Sequence, residues 1–107
     1  MNVKIVTFVP IADADKVRNA LGTAGAGQIG EYTYCSYSVV GKGRFVPSTK
    51  ANPHIGSANE HETVEEERIE VVCERSKAKT VIAVLRQAHP YEEVAFDIYP
   101  LIDEEEL

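Results

Sequence analysis

The sequence predicts an α+β fold in which four strands and two helices follow one another in the order β-α-β-β-α-β. Three observations carry this prediction: an N-terminal run rich in Val and Ile, two segments with apolar residues at every third or fourth position, and strand-like segments between and after them. That order is typical of the ferredoxin-like sandwich, a four-stranded antiparallel sheet with both helices on one face. With 107 residues of which 44 % are apolar, the chain is expected to form a single domain over residues 1–107.

The first strand is predicted at residues 2–9, where apolar residues leave little polar alternation, as in a strand buried on both faces. A helix is expected from about Asp13, and the glycines at positions 22 and 25 are expected to end it. Its apolar face carries Ala14, Val17, Leu21 and Ala24.

Strand two is predicted at about residues 32–40 and strand three at about residues 66–73. Residues 41–63 between them hold glycines, prolines and asparagines with little periodicity. A loop of this length is unusual in so small a domain, and such loops are commonly functional or interfacial.

The second helix is predicted over about residues 77–88 with Ser76 as its N-cap, and strand four over about residues 94–99. The apolar face of this helix carries Ala78, Val81, Ile82, Leu85 and Ala88. Pro90 cannot continue the helix and favours extended backbone at the residue before it. His89 is therefore expected at the C-terminal end of the helix.

The turn at residues 89–93, His-Pro-Tyr-Glu-Glu, carries the densest polar chemistry of the chain. A capped helix end followed by a solvated turn would account for it without any function. The alternative is that the turn contributes to a site for a proton, a polar ligand or a divalent metal ion. The candidate ligand-binding residues are His89, Tyr91, Glu92, Glu93, Lys42 and Arg44, and the candidate metal ligands are His89, Glu92 and His61, the last from another subunit.

Two glycine-rich segments have structural as well as functional interpretations. Residues 25–30 fit the G-x-G-x-x-G pattern, but a helix precedes them and a strand follows, the reverse of the dinucleotide-binding context. Their glycines are therefore expected to supply positive φ angles in a loop. Gly-Lys-Gly-Arg at residues 41–44 offers two cations to an anion, or simply marks the end of a strand.

Charge and apolar runs restrict the function classes. Lys and Arg number 11 and Asp and Glu 17, which gives a net charge of −6, and the acidic tail at residues 102–107 is expected to be a solvated, frayed end. No basic stripe is present, which argues against a nucleic-acid partner. The N-terminal apolar run is too short for a membrane span and lacks the features of a signal peptide, so a cytoplasmic location is expected.

Cys35 and Cys73, both in predicted strands, are expected to be buried reduced thiols, with a disulfide as the alternative.

The face of the sheet that the helices leave open is predicted to be covered by another copy of the chain, which makes the protein an obligate oligomer. Aromatic or apolar groups are expected on both sides of strands two and four. They are Tyr32 and Tyr34 against Cys35, Tyr37 and Val39 in strand two, and Phe96 and Ile98 against Ala95 and Tyr99 in strand four.

Several segments, in order along nearly the whole chain, resemble the insert domain of the NGG-one-interacting factor three family. They are residues 25–30, 32–36, 41–47, 52–56, 62–70, 89–93, and Asp97 with residues 99–101. The resemblance implies a CutA-like and PII-like ferredoxin fold and a free-standing homotrimer. The flanking halves of that family hold a dinuclear metal centre, and their ligands have no counterpart in this sequence, so the hydrolase-like activity does not carry over.

Two function classes follow. The first is a binding or regulatory module, in which clefts between subunits, lined by the 41–63 loop and the 89–93 turn, hold a small metabolite or a divalent metal ion. The second is an enzyme that uses His89 and Glu92 as acid and base. The sequence shows neither a nucleophile with an adjacent base nor an oxyanion-hole signature, which favours the binding module.

Overall fold

A computed structural model describes all 107 residues, Met1 to Leu107, and has the predicted element order. The strands are β1 (Asn2–Pro10), β2 (Tyr37–Phe45), β3 (Glu62–Glu74) and β4 (Phe96–Pro100), and the helices are α1 (Ala14–Thr23) and α2 (Ala78–Ala88). The strands form one antiparallel sheet in the order β2-β3-β1-β4. The ferredoxin-like prediction is confirmed.

The hydrophobic core lies between the two helices and one face of the sheet. The sheet contributes Val3, Ile5, Val9, Ile69, Val71 and Cys73, and the helices contribute Ala14, Val17, Leu21, Ala78, Val81, Ile82 and Leu85. The apolar faces predicted from the three-and-four spacing are therefore the buried ones. Ala24 and Ala88, at the ends of those faces, are only partly buried and pack against the same core.

Both helices begin differently from the prediction. A 3-10 turn precedes each of them, Ile11–Asp13 before α1 and Arg75–Lys77 before α2. The expected N-cap role of Ser76 is wrong, because Ser76 lies inside the second turn and no side chain caps α2. The turn itself satisfies backbone groups at the helix start, since the amide of Ala78 donates to the carbonyl of Arg75.

Neither helix combines the length and apolar content that crossing a bilayer requires.

Strand β2 begins five residues later than predicted and continues to Phe45. Residues 32–36 do not extend the strand because Tyr34 has a left-handed backbone, with φ of 59°. The segment at residues 41–44 instead lies inside the strand, with Gly41 opposite Glu66 and Gly43 opposite Val64. The irregular loop is therefore shorter than the predicted 41–63 and spans residues 46–61.

The loop between α1 and β2 is hydrogen-bonded to the sheet through Gly27. Gly25, Gly27 and Gly30 all have positive φ, as predicted. The amide of Gly27 donates to the carbonyl of Val72 at 2.7 Å, and the carbonyl of Gly27 accepts the amide of Cys35 at 2.8 Å. Gly27 therefore links this loop to β3.

The cysteines are both free thiols. Cys73 is buried on β3 as predicted, and burial raises the pKa of its thiol. Cys35 is only half-buried and precedes β2, so its predicted place in a strand is wrong.

The open face of the sheet is mixed in character rather than continuously apolar. Directly paired residues share a face, which places Tyr37 and Val39 there at one edge and Tyr99 at the other. All three are exposed. Between them, Lys4 and Arg68 form ion pairs with Glu70, 3.1 Å and 3.2 Å long. The apolar residues expected before position 37 are not on this face, because they precede the strand.

The two ends of the chain lie side by side. Strands β1 and β4 are neighbours, with Val3 opposite Pro100. The amide of Leu101 continues this pairing by donating to the carbonyl of Asn2 at 3.1 Å. Beyond β4 the acidic tail is exposed, and Glu104–Glu106 form a 3-10 turn where a frayed end was expected.

Candidate functional site

His89 caps α2 at its C-terminus, as the following proline predicts. Its backbone is extended, with φ of −79° and ψ of 138°, and its amide donates to the carbonyl of Leu85 at 2.9 Å. The imidazole turns inward and is only 5 % exposed. Its Nδ1 accepts the amide N–H of Tyr91 at 3.1 Å, while Nε2 lies 2.6 Å from the carbonyl oxygen of Phe8. This pattern assigns the neutral tautomer with the proton on Nε2, which donates to Phe8.

Both nitrogens of His89 are thus engaged within the chain, joining the end of α2 to β1 and to the following turn. A role as metal ligand or acid and base would require one of these bonds to break. The carboxylate of Glu92 instead accepts the backbone amide of Asn52 at 2.8 Å. His89 and Glu92 share no hydrogen bond, so the enzyme alternative gains no support from their geometry.

The three candidate metal ligands, His89, Glu92 and His61, do not come together within one chain. No group of three His, Cys, Asp or Glu side chains has an arrangement suited to a metal ion. A site completed by His61 of another subunit stays a prediction.

The burial of His89 predicts a pH-dependent stability. Burial lowers the pKa of this imidazole below its ordinary value of about 6.5. Below that value the unfolded chain binds a proton that the folded chain disfavours, so this contribution is complete above pH 6.5 and is lost as the pH falls towards the folded pKa. We expect the free energy of unfolding, measured with urea, to fall between about pH 7.5 and about pH 5.

His89→Gln is the matched variant for this measurement, because it keeps a neutral donor and acceptor but does not titrate. Its stability is expected to fall less than that of the wild type over the same interval. Equal losses in the two proteins would show that another group is responsible.

A cleft of about 770 Å³ lies on the open face of the sheet. It forms where β2, the loop at 46–61 and the turn at 89–93 meet. Most of its walls are apolar or aromatic, including Phe8, Val39, Phe45, Pro47, Pro53 and Ile55. The Tyr91 ring packs among other rings, with centroids 4.9 Å from His89, 6.1 Å from Phe45 and 6.4 Å from His54.

Five of the six candidate ligand-binding residues line this cleft: Tyr91, Glu92, Glu93, Lys42 and Arg44. His89 is not among the lining residues and lies against the Tyr91 ring. Lys42 and Arg44 are exposed on β2 at the edge of the sheet. His61 lies outside the cleft and is exposed.

Glu66 is a lining residue that the sequence did not single out. It is 8 % exposed, and its Oε2 accepts the hydroxyl of Tyr91 at 3.0 Å. Burial and this carboxylate together raise the pKa of Tyr91. The other oxygen lies over Gly43, where an added Cβ would be 1.8 Å from Oε1. A glycine at position 43 is thus the reason that the carboxylate can lie across β2.

Sequence reasoning missed Glu66 because it stands in a run of four charged residues, 65–68, of which alternate ones face the cleft. The available signal was the Gly-x-Gly spacing at positions 41 and 43, which removes side chains from one face of β2. Without the pairing register, that gap could not be assigned to a residue of β3.

Comparison with known proteins places the chain among longer relatives. No family model matches it. It is 47 % identical over 103 residues to a protein of Halalkalibacterium halodurans and 49 % identical over 98 residues to one of Bacillus subtilis, each called "GTP cyclohydrolase 1 type 2 homolog". These matches cover 96 % and 92 % of this chain but 28 % and 26 % of the relatives. The chain therefore spans about a quarter of their length.

Solved structures give the same result for the fold. A Bacillus cereus protein described as related to NIF3 superposes with a TM-score of 0.82 at 46 % identity, over 95 % of this chain and 26 % of that one. The periplasmic divalent cation tolerance protein CutA of Archaeoglobus fulgidus superposes with a TM-score of 0.70 over 100 % of this chain and 92 % of that one. At 17 % identity, the likeness to CutA shows the fold alone.

The resemblance to the NGG-one-interacting factor three family, predicted from the motifs, is confirmed. Over nearly its whole length, the chain is homologous to one segment of the GTP cyclohydrolase 1 type 2 homologs of that family, and it has a CutA-like ferredoxin fold.

Proposed function

We propose that this chain is a self-associating, cytoplasmic binding module, a CutA-like homotrimer that holds a small metabolite in the cleft beside β2. The cleft itself carries the proposal. Its volume of about 770 Å³ falls within the range of small-molecule sites. Apolar walls with a few polar groups are the usual lining of such sites, and the candidate residues Tyr91, Glu92 and Glu93 supply some of the polar groups.

The two free edges of the sheet support self-association. Strands β2 and β4 are the outer strands, so each has one row of unpaired backbone groups. Exposed Tyr37 lies on one and exposed Ile98 on the other. The edges also differ in charge, since Lys42 and Arg44 lie on β2 and the acidic tail follows β4. Pairing of β2 with β4 of the next copy would be a head-to-tail contact, which can close into a ring.

The trimer is tested by sedimentation of the full chain at micromolar concentrations. The expected mass is roughly three times the 11.8 kDa of one chain. A stable monomer would remove the self-association part of the proposal.

The cleft is tested by thermal shift against a panel of metabolites, with zinc, copper and cobalt salts included. A ligand at 100 times its Kd is expected to stabilise the folded chain by about 2.7 kcal/mol. Gly43→Ala should lose this stabilisation, because its methyl group would displace the Glu66 carboxylate. Gly41→Ala is the matched control, since a Cβ there meets nothing within 4 Å.

Three outcomes are distinguishable. Stabilisation of the wild type and of Gly41→Ala but not of Gly43→Ala supports the cleft as the site. Equal stabilisation of all three proteins would place the ligand elsewhere, and no stabilisation by any compound would contradict the binding module.

A further inference from the structure

We infer that the cleft selects a small organic cation, whose apolar body lies against the aromatic walls and whose N–H group donates to Oε1 of Glu66. This inference rests on the proposed function and names the class of ligand for the same site. It starts from one buried carboxylate whose charge the chain does not balance.

Glu66 is more than nine-tenths buried, yet no cation of the chain pairs with it. The four ion pairs of the structure all use other carboxylates. Tyr91 satisfies Oε2 through its hydroxyl, and Oε1 makes no hydrogen bond within the chain. No fully buried side-chain oxygen of the chain lacks a partner, so Oε1 is open to the cleft. A donor from a ligand would find a charged acceptor there.

The other charged residues that line the cleft are less buried than Glu66: Arg68 is half-buried, and Lys42, Arg44, Glu92 and Glu93 are exposed. Arg68 donates to Glu70, and its guanidinium lies 5.8 Å from the centre of the Phe8 ring. Glu92 accepts the amide of Asn52. Lys42 and Arg44 line the cleft from the edge strand β2, where both are exposed and alternate with the positions that face Glu66. Glu66 is therefore the most buried charged residue of the cleft, and a cation is the ligand charge that complements it.

The aromatic residues complement a cation as well. Phe45 and Tyr91 line the same cleft, and no cation of the chain lies over either ring, whereas Arg68 already lies over Phe8. Their ring faces attract organic cations and bury apolar groups. A compact cation with a flat apolar body satisfies both the rings and the carboxylate, whereas a metal ion would leave the rings without a partner.

Three probes of nearly the same shape test the charge preference: benzamidine, benzamide and benzoate, which are a cation, a neutral amide and an anion. Binding to the full-length chain is measured by ligand titration, following the NMR shifts of the cleft residues. Benzamidine is expected to bind at least about tenfold more tightly than benzoate, because its charge-assisted hydrogen bond has no equivalent in the anion.

The substitution Glu66→Gln keeps the size of the side chain and removes its charge. It should abolish the preference for benzamidine over benzamide. Glu65→Gln is the matched control, because the exposed Glu65 lies next to it on β3 and faces the other side of the sheet. This control should keep the wild-type preference.

Several results would overturn the inference. They are benzoate binding as tightly as benzamidine, an unchanged preference in Glu66→Gln, or no shift of cleft residues at millimolar benzamidine. If Glu66→Gln does not fold, the comparison of benzamidine, benzamide and benzoate in the wild type remains decisive. Dissociation of the oligomer by Glu66→Gln would assign the carboxylate to a contact between copies and would also overturn it. The proposed function fails separately, if the metabolite panel finds no ligand for the cleft.

Discussion

The substitution Gly27→Ala is expected to destabilise the chain by about 2–5 kcal/mol. Two costs add. The backbone of Gly27 has φ of +84°, a conformation that costs an alanine about 1–2 kcal/mol. The new Cβ would also lie 2.3 Å from the carbonyl oxygen of Cys35 and 2.7 Å from its amide nitrogen. The amide is held by its hydrogen bond to the carbonyl of Gly27. The clash therefore requires Cys35 and Gly27 to move apart, and overpacking of this kind typically costs about 1–3 kcal/mol.

Gly30→Ala separates the two costs. Gly30 also has a positive φ, of 57°, but a Cβ there has no atom within 4 Å. Its expected loss is about 1 kcal/mol, from the backbone alone. Urea unfolding of both variants gives the comparison, and equal losses would show that the contact with Cys35 is not tight in solution.

The second large effect is expected for His89→Ala, at about 3 kcal/mol or more. Removal of the imidazole leaves the carbonyl of Phe8 and the amide of Tyr91 without their partners, and each unsatisfied buried group costs about 1–3 kcal/mol. The variant also opens a cavity beside the Tyr91 ring, which adds to the loss. His61→Ala is the control, since that imidazole is exposed and an exposed substitution usually changes stability by less than about 0.5 kcal/mol.

The measurement is urea unfolding in the presence of a chelator, repeated with zinc. A loss of stability without metal assigns His89 to the architecture of the turn. If the variant matched the wild type without metal and differed only with zinc, His89 would be a metal ligand and the structural role would be wrong.

Features with a local cause could be predicted from the sequence. The buried helix faces follow from a spacing of three and four residues, and the end of α2 follows from Pro90. The start of β2 could not be predicted, because it depends on a contact with α1. The Tyr34 ring lies where a Cβ on Gly22 would be, and its hydroxyl is 3.1 Å from that of Thr23. Packing on the helix therefore bends the chain out of strand geometry at a residue whose own preference is for a strand.

The candidate site also combines residues that could be predicted from the local sequence with residues whose role depends on distant contacts. Tyr91, Glu92 and Glu93 are neighbours in sequence and reach the cleft together. The inward turn of His89 depends on the carbonyl of Phe8, which is 81 residues away. The role of Glu66 depends on the strand register that sets it beside a glycine. Neither arrangement can be predicted from the residues next to it in the sequence, since the signal for Glu66, the Gly-x-Gly spacing, lies on a different strand.

The pairing of β1 with β4 has a consequence for how such a unit can be carried by a larger protein. Because the start of β1 and the end of β4 lie next to each other at one side of the sheet, a host polypeptide could accommodate this fold within a surface loop while keeping its own folding unit intact. That geometry suits relatives four times as long, in which the homologous stretch shares the polypeptide with other material.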